Sequence, residues 1–415
     1  MVSLRQLKHS ITWSRPSALP NRLFLKIWVI NLISGTAVAA HDTAATWIMN
    51  LMSTSGIFIS LMASLASLPF FLFTLPAGAL ADALDKARIL RLTNLWLAGS
   101  AGALALLGWA GMLNPLLLLG GVFLMGIGFA INAPTWASVV PQIVTDAELP
   151  SASALNGIQL NISGILGPAL AGILLARVGA PVIFGLNAVA FLLAFTAVPR
   201  LQRAGLHLKQ TFASFAHSIS AAFGYIRQTQ SVRSILCRNA VFSSFVAVVP
   251  ALTPVLLLKE LHLDGSSLGL VFTSMGVGSV VSAILILPLL RSRFSSQVLI
   301  MIAQVTLAGI YLLMATVHHC VYCLIPMALA GASWTLAASE LWVVAQRAFP
   351  NSVRGRLSAI MMTISQGAMA LGGIVWGLSG QIAATRPTLV GAAFLFLTIT
   401  VGHPLFRSSP DLFGP

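Results

Sequence analysis

Runs of about 18 or more mostly apolar residues, the length that crosses a bilayer's hydrocarbon core as helix, follow one another along the whole chain. "NPLLLLGGVFLMGIGFAINAP" at 114–134 is one of them. Inside lipid the backbone has no water to bond to, so only helices or closed barrels can span it. The alternating ten-residue segments of a barrel are absent. Composition agrees with helices: 57% of the 415 residues are hydrophobic and 8% are charged, against about 25% charged in soluble domains. A soluble fold could not cover itself with so little polar surface. The chain is therefore expected to be an all-α, multi-pass membrane protein.

Twelve spans are expected near 23–46, 54–77, 89–110, 115–139, 152–176, 181–199, 236–258, 267–290, 298–317, 321–345, 357–380 and 387–406. An even number puts both termini on one face. Of the 23 Lys and Arg residues, all but Arg177, Lys259 and Arg386 then fall on that same face. The positive-inside rule makes it cytoplasmic. The net charge of +14 is thus a topology signal, and nucleic acid is not an expected partner. The basic arm 1–22 has no short apolar core with a cleavage site, so no removable signal peptide is expected. Three cysteines are too few for a disulfide framework.

The longest polar interval, 200–235, divides the chain into halves at 23–199 and 236–406, with 407–415 as a tail. Within it Leu208, Phe212, Phe215, Ile219, Phe223 and Ile226 recur at steps of three and four, predicting an amphipathic helix in the cytoplasmic interface. The halves echo each other. "ALNGIQLNISGILGPALAG" (154–172) aligns with "AIMMTISQGAMALGGIVWG" (359–377), and each follows a proline-containing loop. Weak repetition across two six-span halves marks an alternating-access transporter with its site near midplane.

Four stretches carry a resemblance. "LPAGALADALDKARIL" (75–90) resembles the signature loop of the major facilitator superfamily, in the form of its drug- and siderophore-exporter branch, although Ala83 and Ala87 replace two basic residues. "GPALAG" (167–172) resembles the exporter motif of span 5, and "VAQRAFPNSVRGR" (344–356) with "QGAMALGGIVWG" its second-half counterparts. Together they are similar to the transmembrane secretion effector group, which includes enterobactin-exporter-like members of the drug:proton antiporter branch. The resemblance implies two pseudo-symmetric six-helix bundles and proton-coupled export from the inner membrane. It implies gating roles for Gly78, Asp82, Lys86, Arg88, Arg354 and Arg356, and close helix packing at Gly164, Gly167, Pro168 and Gly172.

Two carboxylates stand inside or near the ends of spans: Asp42, beside His41 in "GTAVAAHDTAATW", and Glu340 in "AASELWVVAQR". A charge at mid-bilayer costs at least about 2.5–3.5 kcal/mol on insertion scales, so such residues are usually functional. Proton coupling requires a group that is charged in one state and neutral in another. Asp42, with His41, is a candidate for coupling or cargo binding; the alternative is a boundary residue bonded to His41 or a neighbouring helix. Glu340 either binds a cationic cargo group or pairs with Arg347. Asn132, Gln159 and Gln366 are candidate cavity residues, with Trp136, Phe242, Trp334 and Trp342 as an apolar wall; the alternatives are interhelical bonding and plain packing.

"HHCVYC" (318–323) offers four N/S ligands, but they sit in one short loop, and His318 and His319 point different ways. It reads as plain loop, with no metal or cofactor expected. There is neither an H-E-x-x-H nor a Walker loop with its lysine, so neither zinc hydrolysis nor ATP-driven transport is expected. The expectation is a monomeric, non-enzymatic, proton-coupled exporter of a small amphipathic molecule, siderophore or drug-like. The alternatives are a lipid or lysolipid flippase of the same fold, and a non-transporting scaffold or sensor.

Overall fold

The structure is a computed structural model that describes residues 21–145, 147–198, 220, 222–350 and 353–402. Twelve helices cross the molecule: α1 (Arg22–Met52), α2 (Gly56–Ala83), α3 (Lys86–Trp109), α4 (Pro115–Ile143), α5 (Leu149–Val178) and α6 (Ala180–Ala197) form one half. The other holds α7 (Gln230–Glu260), α8 (Gly265–Arg291), α9 (Ser296–Thr316), α10 (Cys320–Ala348), α11 (Arg354–Ala383) and α12 (Thr385–Gly402). Each is long and apolar enough to span a membrane, and no strand occurs among the described residues.

Short polar residues start the helices. Asn21, Asp85, Asn114 and Asp264 accept backbone N–H groups of the first turns of α1, α3, α4 and α8, which otherwise lack partners. Asp85 comes from the 75–90 loop, so one carboxylate of that motif serves as a helix cap.

α7 begins at Gln230, inside the interval expected to be linker, because Val232, Ile235 and Leu236 bury one face of the segment. The amphipathic stretch expected over 208–226 lies outside the described residues up to 219. Residues 222–228 are helical, with Ala222 buried and Tyr225 and Ile226 packed on the core of the second half.

The halves meet along two seams, α2 with α11 and α5 with α8. Small residues make both possible, as close helix packing in lipid requires. A methyl on Gly172 would lie 3.2 Å from the Ser266 carbonyl oxygen, and one on Gly276 2.7 Å from that of Gly164. Gly377 and Gly373 lie against Ser60 and Ser64. Among the described residues, the hydrogen bonds that cross between halves run from the span ends opposite the basic face to the middle of the spans. Ser60 donates to the Ala251 carbonyl at 2.7 Å, Ser266 to Gly172 at 2.9 Å, and Thr273 to Ile165 at 3.4 Å. Lys259 donates to the carbonyls of Asn50 and Ser53 at the end of α1. At the opposite, basic face, no hydrogen bond or ion pair joins the described residues of loop 75–90 to those of loop 344–356. The hydrogen bonds between the halves, among the described residues, thus gather from the middle of the spans to the end opposite the basic face.

Candidate functional site

α1 places Asp42 twenty residues from its basic end, about 30 Å along the axis at 1.5 Å per residue. There the carboxylate is exposed, but to a hollow inside the protein. A cavity of about 410 Å³ runs through the first half from Ile27, Leu90 and Val198 near the basic face to Asp42. A second, of about 260 Å³, lies on the seam between Asp42, Thr43 and Thr46 on one side and Pro250, Pro254 and Phe272 on the other. Asp42 and Ala39 line both. Among the described residues the carboxylate has no hydrogen-bond or ion-pair partner.

The polar candidates of the first half gather around the larger cavity. Asn132 donates to Thr93 (2.9 Å) and Asn94 (3.3 Å). Gln159 reaches the Asn31 carbonyl (3.3 Å) and Ser163 (3.5 Å). Trp136 lines the same wall. In the second half a hollow of about 140 Å³ takes Phe242, Trp334 and Trp342 together with Asn239, Ser365 and three methionines, Met361, Met362 and Met369. The methionines were not foreseen, since nothing in "AIMMTISQGAMA" separates a cavity-facing methionine from a packed one. Gln366 is half-buried and lines neither hollow.

His41 does not join Asp42. It is fully buried, its ring 4.3 Å from that of Phe184 and neither nitrogen bonded. Neighbours on a helix point about 100° apart, so Asp42 turns into the cavity as His41 turns into α6.

Glu340 is buried too, and its partner is Arg291 at the end of α8 (2.5 Å), not Arg347. The pair ties α8 to α10 within one half.

The loop candidates lie at or near helix ends. Lys86 and Arg88 open α3, Arg88 exposed. Arg354 donates to the Phe349 carbonyl at 3.3 Å, and Arg356 lies half-buried in the first turn of α11. Gly78 is half-buried near the end of α2; the Asp82 side chain lies outside the described residues. The "GPALAG" run packs α5 on two sides: Gly167 lies on Ala39 of α1, while the Pro168 carbonyl and Gly172 receive Gly269 of α8. "GSSLG" at 265–269 fits the G-x-S-x-G spacing of hydrolases, yet it opens α8, and its glycines pack on Trp47 and Pro168. His318 lies 3.4 Å from Arg386, which bridges Glu260 and the last carbonyls of α9, and Cys320 and Cys323 are unpaired.

The sequence matches the family described as transmembrane secretion effector over residues 13–408. The protein belongs to that family. It is similar to the Staphyloferrin A transporter of Staphylococcus aureus, at 25% identity over 76% of this chain and 78% of the relative. The Enterobactin exporter EntS of Citrobacter koseri is 23% identical over 91% and 90%. Among solved structures, an auto-inhibited POT family peptide transporter superposes with a TM-score of 0.75 at 12% identity, covering 93% of this chain and 97% of that one. The fold is that of the major facilitator superfamily, and the family is one of efflux and secretion transporters rather than enzymes.

Proposed function

We propose that this family member is a proton-coupled exporter of a small amphipathic molecule, with Asp42 as the coupling group. The observation that carries the reading is the position of Asp42: an unpaired carboxylate at the meeting point of the main cavity and the seam pocket. Seated there, it faces the cavity that extends toward the basic face in this conformation. Rocking the halves about the α2–α11 and α5–α8 seams would turn it toward the outer side. A proton taken up there removes the negative charge and weakens the hold on cargo; losing it inside restores the site. Under this reading the basic face is cytoplasmic, both termini lie inside, and a monomer in the inner membrane suffices. The bundles at 23–199 and 236–406 move as the two rocking bodies.

The test is efflux from proteoliposomes under an imposed pH gradient, wild type beside Asp42→Asn, with cationic dyes and siderophores offered. Gradient-driven movement lost in the variant supports antiport through Asp42. Equal movement with unchanged pH dependence defeats the assignment.

A further inference from the structure

The largest cavity carries a second chemistry, well away from Asp42. Four carboxamides line it, each from a different helix: Asn31 on α1, Asn94 on α3, Asn132 on α4 and Gln159 on α5. Counted from the basic-face ends Arg22, Lys86, Ile143 and Leu149, they stand nine, eight, eleven and ten residues into their helices. At 1.5 Å per residue all four share one depth, about 12–17 Å from that face. Asp42 lies eleven residues further along α1, about 16 Å beyond this belt.

Hydrogen bonds to the protein fix how the amides point. The Asn132 nitrogen donates to Thr93 (2.9 Å) and to the Asn94 oxygen (3.3 Å), and the Gln159 nitrogen to the Asn31 carbonyl (3.3 Å). The oxygens of Asn132 and Gln159 and the nitrogen of Asn94 are left without a partner among the described residues. At the same depth of the second half the polar groups are tied to the protein instead. Asn239, nine residues into α7, donates to the Met361 carbonyl at 3.1 Å, and Ser365, eleven into α11, lies 2.7 Å from Ser243.

None of the four belt residues is ionisable, so an ionic group set there would leave water without a counter-charge, which is strongly disfavoured. The open ends include both acceptors and a donor, and a hydroxyl is the neutral group that serves either with one atom. Several open ends around one space call for several hydroxyls. Phe129 and Trp136, three residues before and four after Asn132 on the same side of α4, line the cavity on either side of that amide. Aromatic rings can take the C–H face of a saturated ring while the amides take its rim.

We propose that the cargo carries a neutral, polyhydroxylated ring, as a glycoside does, and that the belt of Asn31, Asn94, Asn132 and Gln159 recognises it. The rest of an amphipathic cargo extends along the cavity toward Asp42. The proposal rests on reading this cavity as the cargo path, and it needs no charge on the cargo.

The experiment is equilibrium dialysis of the full-length protein in lipid nanodiscs, against empty nanodiscs and without any pH gradient. Phenyl glucoside, phenyl tetrahydropyranyl ether and phenyl glucuronide are titrated separately. The three share a skeleton: the ether lacks the hydroxyls, and the glucuronide adds a carboxylate. Saturable binding of the glucoside is expected, at least about tenfold tighter than of either analogue, the worth of two or more neutral hydrogen bonds. Asn132→Leu and Gln159→Leu should each weaken it about fivefold. Gln304→Leu, which alters a buried amide of α9 outside the cavity, should leave it unchanged. No saturable glucoside binding, equal binding of the ether or the glucuronide, or indifference to both cavity substitutions overturns the proposal. Should the leucine variants misfold, Asn132→Ser and the wild-type preference among the three probes decide it. Glucoside binding through the belt with efflux blind to the gradient would remove the coupling role of Asp42 and leave the cargo class standing. Gradient-driven efflux of a cargo that the glucoside does not displace would do the reverse.

Discussion

The two halves share six-helix topology but are packed differently. The second half has one continuous core from Val232 on α7 to Phe396 on α12. The first is broken into three clusters, around Met49 and Phe184, around Phe24 and Val140, and around Leu97 and Phe191. Its large cavity opens among them. The intramembrane carboxylates follow that difference. Glu340, in the well-packed half, is 1% exposed and neutralised by Arg291; Asp42, in the hollowed half, is unpaired and faces open space. A protein interior keeps a charge by pairing it or by leaving it access to polar surroundings, and the two halves use one solution each. Whether a carboxylate is paired or left open is thus decided by what is packed around it.

The largest expected effect separates the two. Asp42→Asn should lower gradient-driven efflux at least about tenfold, as losing an essential proton-exchanging group does, while Glu340→Gln transports at a near-normal rate per folded molecule in the same liposomes. A reversed result would exchange their roles. Next comes stability. Arg291→Gln strands a buried carboxylate and should cost about 3 kcal/mol, the low end for a broken buried pair because Arg291 is partly exposed. Replacing both members by methionine should recover most of that loss, read as thermal unfolding in detergent.

A smaller change tests the latch between the halves. Lys259→Met removes the ammonium that caps the end of α1. It should raise labelling of Thr54→Cys by an impermeant maleimide about fivefold, for a contact worth roughly 1 kcal/mol. The smallest effect lies in the loop before α8. Asp264 caps α8 through Ser267, and its hydrogen bonds to Ser267 hold its pKa below the ordinary value. Asp264→Ala should cost about 1 kcal/mol. Because the folded pKa is the lower one, that contribution is complete above the unfolded carboxylate range and fades as pH falls through the folded pKa. The wild-type advantage should therefore vanish in acid melts and persist at neutral pH.

Much of this was legible in the chain itself. Apolar runs gave the twelve spans. The loops at 75–90 and 344–356 pointed to the family that the comparisons establish. Asp42 stood out because an acid in an apolar run is rare. What escaped was direction. A helix that is apolar on every side carries no stripe to say which face meets lipid, core or cavity, so an Asp42–His41 bond stayed open as an alternative and Met361, Met362 and Met369 carried no signal. Arg291 and Glu340, 49 positions apart, shared no local signal.

The sequence by itself determined that this chain crosses a membrane twelve times as helix, because hydrocarbon forces every backbone group to bond within its own segment and length alone counts the spans. Only the tertiary structure decided which carboxylate is neutralised and which faces the cavity, because that depends on side chains brought together from helices far apart in the chain.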